Sequence, residues 1–156
     1  MMNESDAAAD SSRAADMDEQ AASSAQAEEM LHAAGLRQTR QRVALAELMF
    51  SQGDRHFSAE MLHGEAMQAG LQVSLATVYN TIKHFAKLGL LRAIGVDGGA
   101  TFFDTCTRDH HHFFIENLGE VRDIATSQIH IGTVSSVPEG YEISRVDLLI
   151  RLRPKR

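Results

Sequence analysis

The chain has 156 residues, enough for one ordinary domain or two small ones. No apolar run approaches the ~20 residues needed to cross a bilayer, and the opening MMNESDAAAD lacks the basic-then-apolar order of a secretory signal, so a soluble cytoplasmic protein is expected. The net charge of −6 hides a gradient. Residues 1–29 carry eight acids and one base, residues 30–92 seven bases and four acids, and residues 93–156 seven bases and nine acids. A basic middle segment fits an anion-binding module joined to something else.

Residues 1–25 are Ala, Ser, Asp and Glu with scarcely a large apolar side chain, a composition that reads as a disordered acidic tail, with an alanine-rich nascent helix as the competing reading. EEMLHAAGL reads as a short helix stopped by Gly35. TRQRVALAELMFSQG follows, capped by Thr39 and ended by Gly53, with Val43, Leu45, Ala46, Leu48, Met49 and Phe50 buried. In HFSAEMLHGEAMQAG, Ser58 caps, Glu60 sits in the first turn, Met61, Leu62, Ala66 and Met67 form the apolar stripe, and Gly70 closes the helix. QVSLATVYNTIKHFAKLGLL is capped by Ser74, places Val78, Ile82, Phe85 and Leu88 on one face and stops at Gly89. LLRAIGV and ATFFD then flank Asp97-Gly98-Gly99, a strong hairpin signal. HHHFFIENLGEVRDI reads as a second hairpin turning at Glu116–Gly119, TSQIHIGTVSSV as a helix, and GYEISRVDLLIRLRP as a long final strand with Val146, Leu148, Ile150 and Leu152 on one face.

The fold class expected from this order is α+β. It comprises a winged helix-turn-helix over residues 26–104 and a small α/β unit over 105–156. The second unit would bury too little surface alone, which points to a homodimer. In a helix-turn-helix the second helix of the pair enters the major groove. Here its early exposed side chains would be Ser74, Thr77, Tyr79, Asn80 and Lys83, whose hydroxyls, amide and ring suit base edges and thymine methyls. Arg37, Arg40 and Arg42 flank the entry to the preceding helix, where they could meet phosphate. A three-helix bundle with a polar outer face is the competing reading.

Residues 110–112 are three consecutive histidines. In a strand, His110 and His112 would share a face, ~6.5–7 Å apart, while Asp109 and His111 face the other way. Imidazole with carboxylate suits divalent iron, manganese or zinc. Cys106 is the only cysteine, so it is expected to pack rather than cross-link, and no intrachain disulfide or Cys-x-x-Cys zinc knuckle can form. His32, His63 and His84 read as ordinary surface or core residues. A small metallohydrolase could use the same His/Asp equipment, but no nucleophile motif or Gly-rich phosphate loop accompanies it.

GLRQTRQRVALAELM, HFSAEMLHGEAM, SLATVYNTIKHFAKLGLL and the triple histidine resemble, in order, the ferric uptake regulator superfamily over residues 28–152. Ala76-Thr77-Val78-Tyr79 is the most specific string. The resemblance implies a homodimeric DNA-binding regulator with a C-terminal α/β dimerisation and effector-sensing domain. It places Tyr79 on bases, Arg42 on phosphate beside Thr39, and Arg37 in the minor groove of an AT-rich operator. Asn80 stands where the family commonly has arginine, and with the triple histidine this resembles the iron response regulator branch.

The resemblance also implies a sensory metal site of His56, Asp104, His110, His112 and Asp123. His56 lies just ahead of the Ser58 cap, so the site would join the two units. Asp109, His111 and His130 match a second, less complete site, whose further histidine falls near Arg145 or Val146. Ile115 and Leu118 stand at the two Cys-x-x-Cys positions of the family's structural zinc site, so no structural zinc held by four cysteines is expected. Members of the iron response regulator branch respond to haem, which implies a haem site at His110, His111 and His112; Phe113 or Phe114 could help cover a porphyrin, but core packing is the expected job of both. The Cys-Pro haem motif of some relatives is absent, since Thr107 follows Cys106. Control by haem is the leading expectation. A regulator dependent on Mn²⁺ or Fe²⁺ at the same His/Asp site is the alternative.

Overall fold

The structure, a computed structural model, describes residues 23–96 and 98–155. Helix α1 runs through residues 23–33, so residues 23–25 are helical rather than part of the expected tail. The remainder of that tail lies outside the described residues, as does Asp97 of the expected hairpin turn. Helix α2 (Arg40–Phe50) starts where the Thr39 hydroxyl accepts the Arg42 backbone N–H at 3.3 Å. Strand β1 (His56–Ser58) leads into α3 (Ala59–Gln68), capped by Ser58, and α4 (Leu75–Lys87) follows, capped by Ser74. Between α3 and α4 the chain reverses at Gly70, whose φ of 75° is a left-handed conformation open to glycine.

These helices close on one apolar core. Leu31, Leu45, Met49, Leu62, Val78, Ile82 and Phe85 are wholly buried in it, and Phe50 meets Phe85 edge-on at 5.6 Å between ring centroids. In α3 the buried line is Ala59, Leu62 and Ala66, one helical face. Met61 and Met67, expected on the stripe, flank that face and are exposed, as is Leu88 at the end of α4.

Strands β2 (Arg92–Gly95) and β3 (Thr101–Asp104) form the expected hairpin, and β1 adds to the far edge of β3, giving the sheet order β1-β3-β2. Strands β4 (His111–Ile115) and β5 (Glu120–Ile124) form the second expected hairpin, turning at Gly119 with φ 62°. Strand β6 (Leu149–Leu152) runs parallel to β4, giving the order β5-β4-β6. A second apolar cluster joins the sheets. Ile94, Val96 and Phe102 from the first pack with Val121, Phe114 and Leu149 from the second. Among the described residues no helix is long and apolar enough to cross a membrane.

Two expectations for the C-terminal part need correction. TSQIHIGTVSSV forms only a single 3₁₀ turn, Thr126–Gln128, and residues 129–148 contain no helix or strand. This stretch is rich in β-branched residues and serine and contains Gly132, all weak helix formers. Ile131, Val134 and Val137 are exposed, so the packing that supplies most helix stability is missing in the single chain. The long final strand is likewise confined to Leu149–Leu152, with Tyr141 and Ile143 exposed upstream.

Candidate metal centre and nucleic-acid interface

Strand register assembles the His/Asp cluster. His56 of β1 is paired directly with Asp104 of β3, and His112 of β4 directly with Asp123 of β5. Opposed residues in an antiparallel pair project from the same face, so each sheet offers one imidazole–carboxylate pair. The packed Phe102 and Phe114 rings, 6.1 Å apart, bring the two faces together. His110 completes the set from the lead-in to β4.

All five side chains offer ligand atoms within 4.8 Å of one another. Nε2 of His110, His112 and His56 lies 2.7, 3.1 and 3.5 Å from Asp104 Oδ2. The same three nitrogens lie 3.2, 3.7 and 2.8 Å from Asp123 Oδ1. Asp104 is fully buried, and His110 and His112 are only 8% and 3% exposed. The outer atoms of the ligands are held as well. Asp104 Oδ1 accepts the Cys106 backbone N–H at 2.7 Å, and His110 Nδ1 donates to the Arg108 carbonyl at 2.8 Å. That leaves Oδ2 of the first and Nε2 of the second facing the centre.

The donors fit a small divalent cation. His56 Nε2 is buried and, despite its short approach to Asp123, has no hydrogen-bond partner of acceptable geometry. A buried ring nitrogen in that state is costly unless something else takes its lone pair. Three imidazoles and two carboxylates suit Fe²⁺, Mn²⁺ or Zn²⁺.

Two groups of the cluster, Asp104 and His56, are shifted from their ordinary pKa values. Burial alone would raise the Asp104 pKa, but the hydrogen bond from the His112 ring, the His56 ring 3.5 Å away and the Cys106 N–H outweigh it and hold the carboxyl well below the ordinary 3.8. Burial alone would lower the His56 pKa, but the carboxylates of Asp104 and Asp123 outweigh it and hold the ring above 6.5. The His56 contribution to stability is therefore complete below pH 6.5 and lost as pH rises through its folded-state value. The Asp104 contribution is present above pH 3.8 and lost only as pH falls through its own lowered value. Metal-free protein should thus melt at a higher temperature at about pH 6 than at about pH 8.5, whereas Mn²⁺ affinity should run the opposite way, because a proton on His56 competes with the cation. Melting curves in EDTA and calorimetric Mn²⁺ titrations at both pH values check the two signs. Parallel trends would refute the assignment of the shift to His56.

The three consecutive histidines do divide between two faces. His111 pairs with Ile124, is buried, and keeps Nδ1 without a hydrogen-bond partner. The second expected set is not brought together in this chain. Asp109 is exposed and pairs with Arg145 at 3.5 Å, and His130 is exposed beyond the 3₁₀ turn. Of the remaining histidines, His63 Nε2 donates to the Val73 carbonyl at 3.0 Å, His84 Nδ1 donates to the Asn80 carbonyl at 2.7 Å, and His32 is exposed. Sequence reading missed Arg92. Its guanidinium reaches the carbonyls of Arg108 and His110 at 3.5 and 3.4 Å and pairs with Asp147, tying β2 to both flanks of the C-terminal sheet. Nothing in the local pattern LLRAIG signals those distant partners.

Elsewhere on the helical unit, α4 offers Asn80 and Lys83 to solvent and Tyr79 half-buried. Ser74 and Thr77 are joined hydroxyl to hydroxyl at 2.9 Å, and Ser74 also caps the helix. Arg37 and Arg40 are exposed, and Arg42 Nη1 donates to the Arg37 carbonyl at 3.2 Å, which folds the loop before α2 around the arginine cluster.

A winged helix-turn-helix joined through a His/Asp cluster to a second small sheet defines the class, a two-unit protein with a metal-type centre at its seam. The ferric uptake regulator family matches residues 33–151. The ferric uptake regulation protein of Pseudomonas aeruginosa is 34% identical over 128 residues, covering 81% of this chain and 96% of that protein. The solved ferric uptake regulator from Pseudomonas aeruginosa with manganese superposes with a TM-score of 0.63 at 29% identity, over 83% of this chain and 98% of that one. The Vibrio cholerae ferric uptake regulator gives 0.65 at 22% identity, over 81% and 98%, a likeness of fold. The chain belongs to the ferric uptake regulator family.

Proposed function

We propose that the protein is a homodimeric, DNA-binding transcriptional regulator of metal homeostasis that answers to a divalent cation at His56, Asp104, His110, His112 and Asp123. The convergence of five donor atoms from both units within 4.8 Å carries this reading. A bound Mn²⁺ or Fe²⁺ would neutralise the two carboxylates and tie His56 to the C-terminal sheet. His56 immediately precedes the Ser58 cap of α3, so fixing it fixes the helix pair that presents α4. Ser74, Thr77, Tyr79, Asn80 and Lys83 would meet base edges of an AT-rich operator, while Arg37, Arg40 and Arg42, with Thr39, would meet its backbone. The exposed apolar residues of 129–148 offer a second copy the surface a dimer needs. Family membership favours regulation over a small metallohydrolase, and the absence of a membrane-crossing helix among the described residues accords with cytoplasmic action.

Fluorescence anisotropy of an AT-rich duplex, with Mn²⁺ and with EDTA, tests the proposal. Mn²⁺ should tighten binding at least about tenfold, a coupling of about 1.4 kcal/mol. Six arginine–phosphate contacts per dimer should give a log–log salt slope of about −5. Salt-insensitive binding, or none in either condition, would sink it.

Haem control is the second reading, supported by the triple histidine with Asn80 and by the unpartnered Nδ1 of His111. As arranged, His110 and His112 face Asp104 and fit a small cation better than a porphyrin. A Soret titration that saturates in the native protein and is lost when all three histidines become alanine would favour haem. A featureless titration would remove it.

A further inference from the structure

The exposed face of α4 is not free-standing. Glu60, in the first turn of α3, accepts the Tyr79 hydroxyl at 2.7 Å through Oε1. The tyrosine hydrogen bond is the main reason the Glu60 carboxyl is held below its ordinary pKa, so the acceptor is an anion throughout the physiological range. On one side the Tyr79 ring packs against the helical core. One end of the side chain is therefore held by apolar contact and the other by a charged acceptor on the neighbouring helix, which selects one rotamer on a surface where a tyrosine would otherwise sample several. The hydroxyl proton is committed to Glu60. What remains for a partner is the ring, an apolar surface that suits a thymine methyl.

We infer that Glu60 is a positioning residue for sequence readout, holding the Tyr79 hydroxyl so that the ring, not the hydroxyl, meets the bases. This rests on the DNA-binding reading above. A carboxylate beside a phosphate backbone lowers affinity for every duplex alike, whereas a fixed ring separates one sequence from another. The two roles of Glu60 are therefore experimentally separable.

The test uses the full chain with Mn²⁺ and a duplex selected by that protein from a randomised 30-base-pair library, compared with a scrambled duplex of the same composition. E60A should lower the ratio of the two affinities at least about fivefold, the size of one modest base contact. E60Q keeps an acceptor for the hydroxyl but loses the charge. It should raise both affinities while leaving the ratio within about twofold of the native value. Y79F should reproduce the E60A loss, and the double variant should lose no more than either single one, because both remove the same hydrogen bond. An E60A ratio within about twofold of native, or a double variant whose loss is the product of the single losses, overturns the inference. If E60A does not fold, Y79F against the native chain decides in its place. If the native protein enriches no sequence from the library, the DNA-binding reading fails and this inference with it. Enrichment of the same sequence at the same ratio by native and variant proteins would sink the Glu60 inference alone.

Discussion

Asp104→Asn will lower Mn²⁺ affinity by at least about 100-fold, since loss even of an outer-shell partner costs 10–100-fold and Asp104 faces all three imidazoles. The substitution keeps the shape of the side chain and an acceptor for the Cys106 N–H. What it removes is the anion at the centre, so His56 loses a main reason to stay protonated. Without metal the variant should be less stable by about 1.5–3 kcal/mol at neutral pH, the range for hydrogen bonds to a charged group. In the native protein Mn²⁺ at 100 times its Kd should add about 2.7 kcal/mol of stability, and in the variant at the same concentration almost nothing. Calorimetric titration and melting curves with and without Mn²⁺ measure both quantities. Native-like affinity in the variant would show that the cation sits elsewhere.

Phe85→Ala is expected to have the largest effect on the helical unit. Phe85 is wholly buried, lies in the centre of the α1–α4 core and meets Phe50 edge-on. Emptying such a site removes the transfer energy of the ring and leaves a cavity, together about 3–5 kcal/mol. For a unit of this size the midpoint of thermal unfolding should fall by more than about 10 °C. DNA binding should disappear at temperatures where the native protein still binds, because α4 is the helix that loses its support. The His/Asp cluster draws only His56 and Asp104 from that unit, and both lie on strands rather than on the helices that pack around Phe85. Mn²⁺ should therefore recover part of the lost stability. A midpoint shift of only about 1 °C would show that Phe85 does not lie at the centre of the core.

Much of the fold was legible from local pattern. The caps Thr39, Ser58 and Ser74 and the two hairpins follow from short-range chemistry, in which a few neighbouring residues specify backbone geometry. The helix expected at TSQIHIGTVSSV failed for the complementary reason. An apolar face forms a stable helix only when something covers it, and within the single chain Ile131, Val134 and Val137 are exposed. Strand β1 has three residues, too few to carry an alternating pattern.

By itself the sequence determined the ligand types and their split along β4, because alternation in a strand is a property of the backbone alone. Within β4, His111 and His112 had to face opposite ways. That only two of the three histidines join the His/Asp cluster is a tertiary result. It depends on His56 lying opposite Asp104 in one sheet, on His112 lying opposite Asp123 in another, and on a bridging cluster of Phe102 and Phe114 that presses the two sheets together. Register and sheet packing are set by hydrophobic contacts between residues far apart in the chain, and no local pattern encodes them. The same holds for the pairing of Glu60 with Tyr79, which become one unit only where α3 and α4 cross.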